Sequence, residues 1–340
     1  RGGWERSSVT RCRATREAGR ASLEPQTHLG ASTLRFPPPE MPPRANPNPK
    51  MKMQSDDVTH YFTVDVEEFF HVSALEPWIT PAEWGRFDSR VGDSMMRLLD
   101  ILAEREVRAT HFVLGWVAER DPGLVRTLAE AGHEIASHGW DHRRVTHQTP
   151  EEFRESVRRT KRHLEDLTGR PVLGFRAPSF SIVPGHEWAL DILIEEGYRY
   201  DSSLFPVRRR GYGYADGERD PHWLERPSGR IYEVPPATLR RLGRNLPAAG
   251  GGYLRLLPYG LVRSAFRECT RRGVPGTFYI HPWELDPDQP RLDVSWKTRV
   301  RHYGGLHRTA DRIRALVREF RFTSIAESLA PKEKACRQRA

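Results

Sequence analysis

Apolar runs of strand length alternate with longer amphipathic segments along most of this chain. His60-Tyr-Phe-Thr-Val-Asp65-Val is rich in β-branched and aromatic residues and predicts a buried strand that ends in acids. Residues 150–168 instead place apolar side chains at helical spacing, and Gly169 follows them at a position where helices commonly end. Strands that alternate with helices in this way predict a parallel sheet with helices outside it.

About seven such strand-then-helix units are predicted. The predicted strands are residues 60–66, 107–114, 133–138, 172–176, 198–201, 277–281 and 322–325, and the predicted helices are residues 92–106, 122–131, 150–168, 184–196, 258–272 and 305–319. Because polar residues recur at the ends of several strands, we predict an α/β fold, a distorted (β/α) barrel with about seven parallel strands. No glycine-rich phosphate loop follows any predicted strand, which argues against a nucleotide enzyme.

The alternation places one domain at residues 56–330. Residues 207–252 interrupt it, because they are rich in Gly, Arg and Pro and hold only a short predicted strand at 231–234, so we interpret them as an insertion over one face. The composition of residues 1–55 predicts a disordered, basic, Pro-containing tail, and our hypothesis is that this tail lies upstream of the native start. The composition of residues 331–340 predicts a second basic tail.

The positive charge is concentrated at the N-terminus. The chain of 340 residues has a net charge of +9, yet residues 1–50 alone hold nine Lys/Arg and four Asp/Glu, so the other 290 residues carry only +4. A mildly basic body without a recognisable nucleic-acid-binding motif argues against a nucleic-acid partner. The basic character therefore does not define the function.

The cysteines and the hydropathy pattern bear on the compartment. Cys12, Cys269 and Cys336 are odd in number and widely spaced, so they predict neither a disulfide framework nor a metal site, and a reducing compartment is favoured. No run of about 18 apolar residues predicts a membrane span, and no signal-peptide core is visible. We expect a cytoplasmic protein.

The stretch Glu134-Ile-Ala-Ser-His138-Gly-Trp-Asp-His142 carries the most specific chemistry. A strand-like run ends in two histidines four residues apart, and a turn at Gly139 can bring both rings together. Two neutral imidazoles suit zinc or a similar divalent ion, with a carboxylate as third ligand and a position left for water. The alternative is two surface histidines. The pattern H-E-x-x-H is excluded, because the histidine after His133-Glu134 comes one residue too late.

Further polar residues lie at the ends of other predicted strands. Each of them alone is more often a salt-bridge or hydrogen-bonding partner than a catalyst, but several on one barrel rim favour an active site. With the two histidines, the set is Asp65, Glu67, His138, His142, Arg176, Asp201 and His281.

Taken in order, these motifs resemble the polysaccharide deacetylase family, the NodB-homology carbohydrate esterases. The resemblance covers residues 58–325, and the five motifs are Thr63-Val-Asp65-Val-Glu67, His138-Gly-Trp-Asp-His142, Arg176-Ala-Pro-Ser-Phe180, Asp201-Ser-Ser and Tyr279-Ile-His281. The strings Asp65-Val-Glu-Glu-Phe-Phe and His281-Pro-Trp-Glu-Leu-Asp are most similar to the subgroup associated with exosortase-linked exopolysaccharide loci in bacteria.

The resemblance implies a role for each motif. An acid of the first motif would hold a divalent metal, usually zinc, together with His138 and His142. Asp65 would be the general base, oriented by Arg176. His281 would be the general acid that protonates the leaving amine, with Asp201 holding its ring, and a backbone N–H near Ser179 would stabilise the oxyanion.

The sequence departs from the family pattern in the first and fifth motifs. The family commonly has two adjacent aspartates where this chain has Asp65 and Glu67 around Val66, so the metal ligand is either Glu67 or Glu68. Tyr279 stands where leucine is frequent and would change the pocket for the acetyl methyl group. Trp283, with Trp140 and Trp296, is a candidate for stacking on sugar faces, although large aromatics more often fill cores.

We therefore predict a metal-dependent hydrolase of carbon–nitrogen bonds that removes N-acetyl groups from amino sugars in a bacterial exopolysaccharide or its precursor. The insertion at 207–252 is where we expect substrate choice to be set. One alternative keeps the fold but hydrolyses a small cyclic amide. Another alternative is a catalytically inactive carbohydrate-binding module. The presence of both Asp65 and His281, the candidate base and acid, argues against it.

Overall fold

The longest strand among the described residues begins at Thr59, where the apolar run predicts it. The computed structural model describes residues 58–209 and 211–329. Its strands are β1 Thr59–Val66, β2 Thr110–Val113, β3 Glu134–Ser137, β4 Gly174–Phe175, β5 Tyr200–Asp201, β6 His222–Arg226, β7 Gly229–Glu233, β8 Thr238–Arg241, β9 Arg244–Pro247, β10 Thr277–Ile280 and β11 Arg321–Thr323.

Helices follow most of these strands, and their ends are set by local chemistry. The α-helices are α1 Val91–Ala103, α2 Gly115–Arg120, α3 Pro122–Glu130, α4 Pro150–Thr168, α5 Trp188–Glu195, α6 Gly251–Leu256, α7 Tyr259–Arg272, α8 Trp296–Tyr303 and α9 Thr309–Glu319. The longest, α4, begins at a capping box formed by Thr149 and Glu152 and ends at Gly169, whose φ of 64° is left-handed. Its predicted bounds are therefore confirmed.

The main sheet has the order β10-β1-β2-β3-β4-β5-β7-β6, and β11 also pairs with β1. All pairs are parallel except β6 with β7, so seven parallel strands follow one another from β10 to β7. The register aligns Thr63 of β1 with Tyr279 of β10, and Asp65 with Phe112 of β2. The carboxyl ends of these strands therefore lie at one edge, where the candidate residues are found.

The two ends of this sheet approach each other without a continuous ladder. The segment that follows β7 forms isolated parallel bridges to β10, at Pro236 with Thr277 and at Gly250 with Tyr279. The N–H of Ala237 also donates to the carbonyl of Thr277 over 3.0 Å. The predicted α/β fold with a mostly parallel, distorted barrel-like sheet is confirmed, and β7, inside the predicted insertion, belongs to this sheet.

Side chains of β1 alternate between two apolar regions. Phe62, Val64 and Val66 face the helices and join the large core between the sheet and the helices. Tyr61 points inward and packs with apolar residues of the other strands, and Ile325 and others after β11 close that end of the interior. The remaining inward positions of β1 are polar and lead toward the site.

The structure differs from the prediction at several boundaries. The helix predicted from residue 305 begins only at Thr309, because Gly305 has a left-handed φ of 73° that interrupts a regular helix. Residues 207–252 contain β6 to β9, which form two antiparallel hairpins. The predicted tails, residues 1–55 and 331–340, lie outside the described residues. Among residues 58–209 and 211–329, no helix has the length and apolarity needed to cross a bilayer.

We expect the free energy of unfolding to fall as the pH is lowered from 6.5 toward 4. Burial lowers the pKa of His60 to about 4 and that of His133 to about 4. Each ring accepts a backbone N–H, from Gly276 and from Ala109, and protonation would break that hydrogen bond. The unfolded chain, whose histidine pKa is near 6.5, binds these protons first, so stability is fully present above that pH and is lost below it.

Urea unfolding at a series of pH values, with a chelator present, measures this effect. Each buried histidine contributes a slope of up to about 1.4 kcal/mol per pH unit. The double variant His60→Asn, His133→Asn should have a shallower profile. A stability that stays constant from pH 7 to 5 would contradict the assignment of neutral, buried rings.

Candidate active site

The two histidines of the central motif are held by a loop that folds back after β3. Gly139 has a φ of 77°, and His142 itself has a φ of 55°, so two left-handed residues turn the chain within five positions. The carbonyl of Gly139 accepts from the N–H of Gly115 over 2.9 Å, and Trp140 packs where a side chain on Gly115 would collide with its ring. Trp140 thus fixes the loop.

Both imidazoles converge on a carboxylate that directly follows β1. Glu67, His138 and His142 are all buried, and their candidate ligand atoms lie within 4.8 Å of one another. His142 Nε2 is 2.8 Å from Glu67 Oε2, and that buried oxygen has no hydrogen-bond partner. Two imidazole nitrogens and a carboxylate oxygen aimed at one point form a donor set that suits zinc and leaves a position for water.

Neighbouring groups hold these side chains in place and set the protonation of His138. His138 Nδ1 contacts the carbonyl of Arg176 at 2.8 Å, which makes Nδ1 the protonated nitrogen and leaves the Nε2 lone pair free. Burial lowers the pKa of His138 to about 4, so the ring is neutral at pH 7. The indole N–H of Trp283 donates to Glu67 Oε1 over 3.1 Å and orients the other carboxylate oxygen.

Glu68 points away from this cluster. One of its oxygens accepts from the hydroxyl of Ser89 over 2.6 Å and from the N–H groups of Arg90 and Val91, at the start of α1. Consecutive residues leave a strand on opposite sides, so only one of Glu67 and Glu68 can reach the histidines. The geometry selects Glu67 and gives Glu68 a structural contact.

Asp65 forms a buried ion pair beside the cluster. Arg176 Nη1 donates to Asp65 Oδ1 over 2.7 Å and to the hydroxyl of Thr63 over 2.8 Å, while Nη2 donates to Ser202 Oγ over 2.7 Å. The guanidinium is wholly buried, and these contacts fix its plane. Asp65 Oδ2 stays free of that pair and lies 3.8 Å from His281 Nε2.

His281 is held from its other side by an acid that the motif analysis did not select. Its Nδ1 lies 3.2 Å from Oε2 of Glu284, whose second oxygen accepts from Arg255 Nε over 2.6 Å. Burial lowers the pKa of His281, but Glu67, Glu284 and Asp65 outweigh that effect and raise it to about 9. The ring is therefore protonated at neutral pH in the metal-free protein.

Asp201 lies elsewhere than predicted, and the expected contact with His281 is not formed. Its carboxylate accepts from the hydroxyl of Ser203 over 2.6 Å, and Ser203 Oγ in turn accepts from the N–H of Ala177. Parallel pairing of β5 with β7 sets Glu233 beside it, and burial together with this neighbouring acid raises the pKa of Glu233 well above its usual range. Asp201 thus supports the loop after Arg176, and Glu284 occupies its predicted place.

Of the three predicted substrate-binding residues, Trp283 differs from the prediction, whereas Ser179 and Tyr279 lie in the cleft. Trp283 is buried and stacks with both His281 and His302, whose ring centroids are 5.3 and 4.5 Å from its own, so little of the indole is open to a sugar. Ser179 lines the cleft at a left-handed φ of 55°, and its hydroxyl bonds that of Ser73. Tyr279 also lines the cleft, next to His281.

Most of the candidate residues line one cleft of about 540 Å³, whereas Arg176 and Asp201 are not in its lining. Its floor holds the cluster of Glu67, His138 and His142 with Asp65 and His281, and its other wall carries tyrosines, arginines and leucines from residues beyond 208.

Comparison with known families identifies part of the chain. Residues 84–192 match the family model described as polysaccharide deacetylase. The chain carries a polysaccharide deacetylase domain. This family consists of hydrolases that act on carbon–nitrogen bonds other than peptide bonds. The predicted resemblance is confirmed at this level, and the exosortase-associated subgroup stays a prediction.

Relatives of the deacetylase domain extend the comparison. The peptidoglycan-N-acetylglucosamine deacetylase PgdA of Listeria monocytogenes is 30% identical over 129 residues, which are 35% of this chain and 27% of that protein. Two solved structures share the fold. A probable polysaccharide deacetylase from Pseudomonas aeruginosa PAO1 has a TM-score of 0.50 and 16% identity, and the match covers 79% of this chain and 88% of that one. PuuE allantoinase has a TM-score of 0.51 and 18% identity, and the match covers 82% of this chain and 90% of that one. The chain thus spans about a quarter of the curated relative's length.

The segment matched as a deacetylase does not contain the whole site. It includes His138, His142 and Arg176, whereas Asp65 and Glu67 precede it. A second model, a domain of unknown function named DUF3473, matches residues 202–330 and therefore contains His281. Parallel pairing of β10 with β1 brings these parts together, so the segment of unknown function contributes His281 to the candidate site.

Substitution of the two adjacent acids tests the choice of ligand. We expect Glu67→Gln to weaken zinc binding by more than about 100-fold, since even the partners of metal ligands contribute about 10- to 100-fold. Glu68→Gln should bind zinc almost as the wild type does. Competition titration of the metal-free proteins with a chromophoric chelator measures both affinities, and the reverse order of effects would exchange the two assignments.

Proposed function

We propose that this chain is a metal-dependent N-deacetylase of amino sugars in a bacterial exopolysaccharide or its precursor. One observation carries the proposal: a buried cluster of one glutamate and two histidines lies within a cleft beside the Asp65–Arg176 ion pair and His281. A metal-binding cluster, a held carboxylate and a protonated imidazole are the groups that amide hydrolysis requires.

The residues of the cluster fit zinc, which the family resemblance favours. Their three donors are two neutral imidazoles and one carboxylate, and Glu67 Oε2 lacks a hydrogen-bond partner while buried. When bound, zinc supplies Lewis-acid polarisation of the acetyl carbonyl and a water of lowered pKa. Glu67, His138 and His142 would hold it, and Trp283 would orient Glu67.

Asp65 is placed to take the proton of the attacking water. Arg176 holds one oxygen of the Asp65 carboxylate, because its guanidinium donates to Asp65 Oδ1. The same guanidinium also donates to the hydroxyl of Thr63, which fixes its position. Oδ2 is then free to accept the proton. The fixed ion pair also prevents the carboxylate from turning toward the histidines, which reserves Glu67 for the metal.

His281 is placed to give a proton to the leaving amine. Glu284 holds Nδ1, so Nε2 points to the side of the ring that faces Asp65 and Glu67. Glu284, which is outside the metal cluster, raises the pKa of His281 and so favours the protonated form that a general acid requires. For the oxyanion we propose the N–H of Ser179 as donor, because the N–H of Phe180 already donates to the carbonyl of Ala177.

Asp65→Asn tests the reaction and the base together. We expect acetate release from N-acetylglucosamine oligomers to need added zinc and to fall by about 100-fold or more in the variant, because general-base catalysis contributes about that much. Zinc affinity should persist, since Asp65 is not in the metal cluster. If the wild type binds zinc but releases no acetate, the proposed metal site stands and the proposed substrate class is wrong. Allantoin and other small amides are then the substrates to test.

Glu284→Gln tests the support of the general acid. We expect kcat to fall about tenfold or more while KM changes little, because a charge-assisted hydrogen bond to His281 is lost and no group that contacts substrate is removed. Glu284→Asp should restore part of kcat. A rise in KM with an unchanged kcat would instead assign Glu284 to substrate binding.

A further inference from the structure

One wall of the cleft carries cationic and phenolic groups that the proposed reaction does not use. Arg209, Tyr212, Tyr253 and Arg301 line the same cleft as Asp65 and His281. All four come from the segment that matches the domain of unknown function, residues 202–330.

These four side chains form a connected group. The hydroxyls of Tyr212 and Tyr253 are 2.6 Å apart, and Arg209 faces Tyr212 across a tight antiparallel bridge. The Tyr253 hydroxyl and the Tyr212 hydroxyl raise the pKa of Arg209, which places its guanidinium against both. Arg301 adds a second positive charge near Tyr212, and its backbone carbonyl is held by Arg255 over 3.0 Å.

Two glycines allow the helix that carries Tyr253 to pack closely against β10, the strand that precedes His281. A side chain on Gly250 would meet the carbonyl oxygen of Tyr279 at 1.7 Å, and one on Gly251 would meet the Tyr279 ring at 2.7 Å. Both glycines have positive φ, 147° and 54°, so α6 can begin flat against β10. Tyr253 on α6 therefore lines the same cleft as Tyr279, whose ring centroid is 5.8 Å from that of His281.

Among the described residues, Arg209 and Arg301 have no acidic partner, unlike Arg255 in the same cleft and Arg176 beneath the site. Arg176 is paired with Asp65, and Arg255 with Glu284. Within residues 58–209 and 211–329, Arg209 and Arg301 form no ion pair, and both are exposed. Guanidinium forks and phenolic O–H groups offer donors to a ligand, whereas the hydroxyls of a neutral sugar also seek acceptors.

We propose that Arg209, Arg301, Tyr212 and Tyr253 form a subsite for an anionic group of the glycan, either a uronic acid carboxylate or a phosphate ester. The inference rests on the proposed deacetylase function and adds a substrate class to it. The anion lies next to the N-acetylated sugar, because Tyr279 borders both the subsite and His281. Guanidinium groups bind carboxylate and phosphate in a bidentate way, which also fixes the orientation of the sugar that carries them.

The test compares three substrates of the zinc-loaded full chain. They are a neutral N-acetylglucosamine tetramer, a tetramer that alternates N-acetylglucosamine with glucuronic acid, and a tetramer of N-acetylglucosamine with a terminal phosphate. We expect kcat/KM for acetate release to be about tenfold or more higher on one anionic substrate than on the neutral one. The preferred substrate distinguishes a carboxylate from a phosphate as the ligand.

The double variant Arg209→Gln, Arg301→Gln should lose that preference, and added salt should weaken it in the wild type. Arg126→Gln, which removes an exposed arginine on α3 that does not line the cleft, is the matched control and should keep the preference. An equal kcat/KM on neutral and anionic substrates, or a preference that survives in the double variant, would overturn the subsite while leaving deacetylation intact.

Calorimetric binding of the same three tetramers separates this inference from the proposed function. If none is deacetylated, the proposed function fails, and tighter binding of an anionic tetramer by the wild type than by the double variant still supports the subsite. Equal affinities for neutral and anionic tetramers in the wild type would overturn it, whatever the outcome for catalysis.

Discussion

The site depends on the buried guanidinium of Arg176. It donates to Asp65, to Thr63 and to Ser202, and its backbone carbonyl fixes the ring of His138. One residue thus connects the candidate base on β1, a candidate metal ligand that follows β3 and the serine that follows β5. A buried charge is stable only when it is paired, and the loss of one partner commonly costs about 3–5 kcal/mol. The fold and the chemistry therefore share a constraint: strands cannot shift without leaving this charge unpaired.

The fold and the location of the site could be predicted from the sequence because both follow from short-range patterns. Buried parallel strands appear as apolar runs, and α4 has a capping box and a terminal glycine at the expected positions. Parallel strands that end at one edge bring their terminal residues together. For that reason Asp65, His138, Arg176 and His281 could be assigned to one place although up to 216 positions separate them.

The partners of these residues could not be predicted, because they depend on side-chain direction. Asp201 and Glu284 are both acids near strand ends, and only the structure shows that Glu284 reaches His281, three positions away in a turn. Glu67 and Glu68 are adjacent in sequence, but the alternation of the strand gives them opposite environments. The sequence suggests that Trp283 is available to stack on a sugar, yet the structure buries it in stacking contacts with two imidazoles.

The position of β10 beside β1 has a consequence for how the molecule assembles. β1 is the first strand of the main sheet, and its partner comes more than 200 residues later. The other central strands meet neighbours that are close in sequence, so they pair early, whereas β1 keeps one edge open until nearly the entire domain has been synthesised. Contacts of such long range slow folding and expose a strand edge to association in the meantime. In this protein the strand edge that is paired last belongs to β1, which holds Asp65. The strand that pairs with it, β10, leads directly into His281.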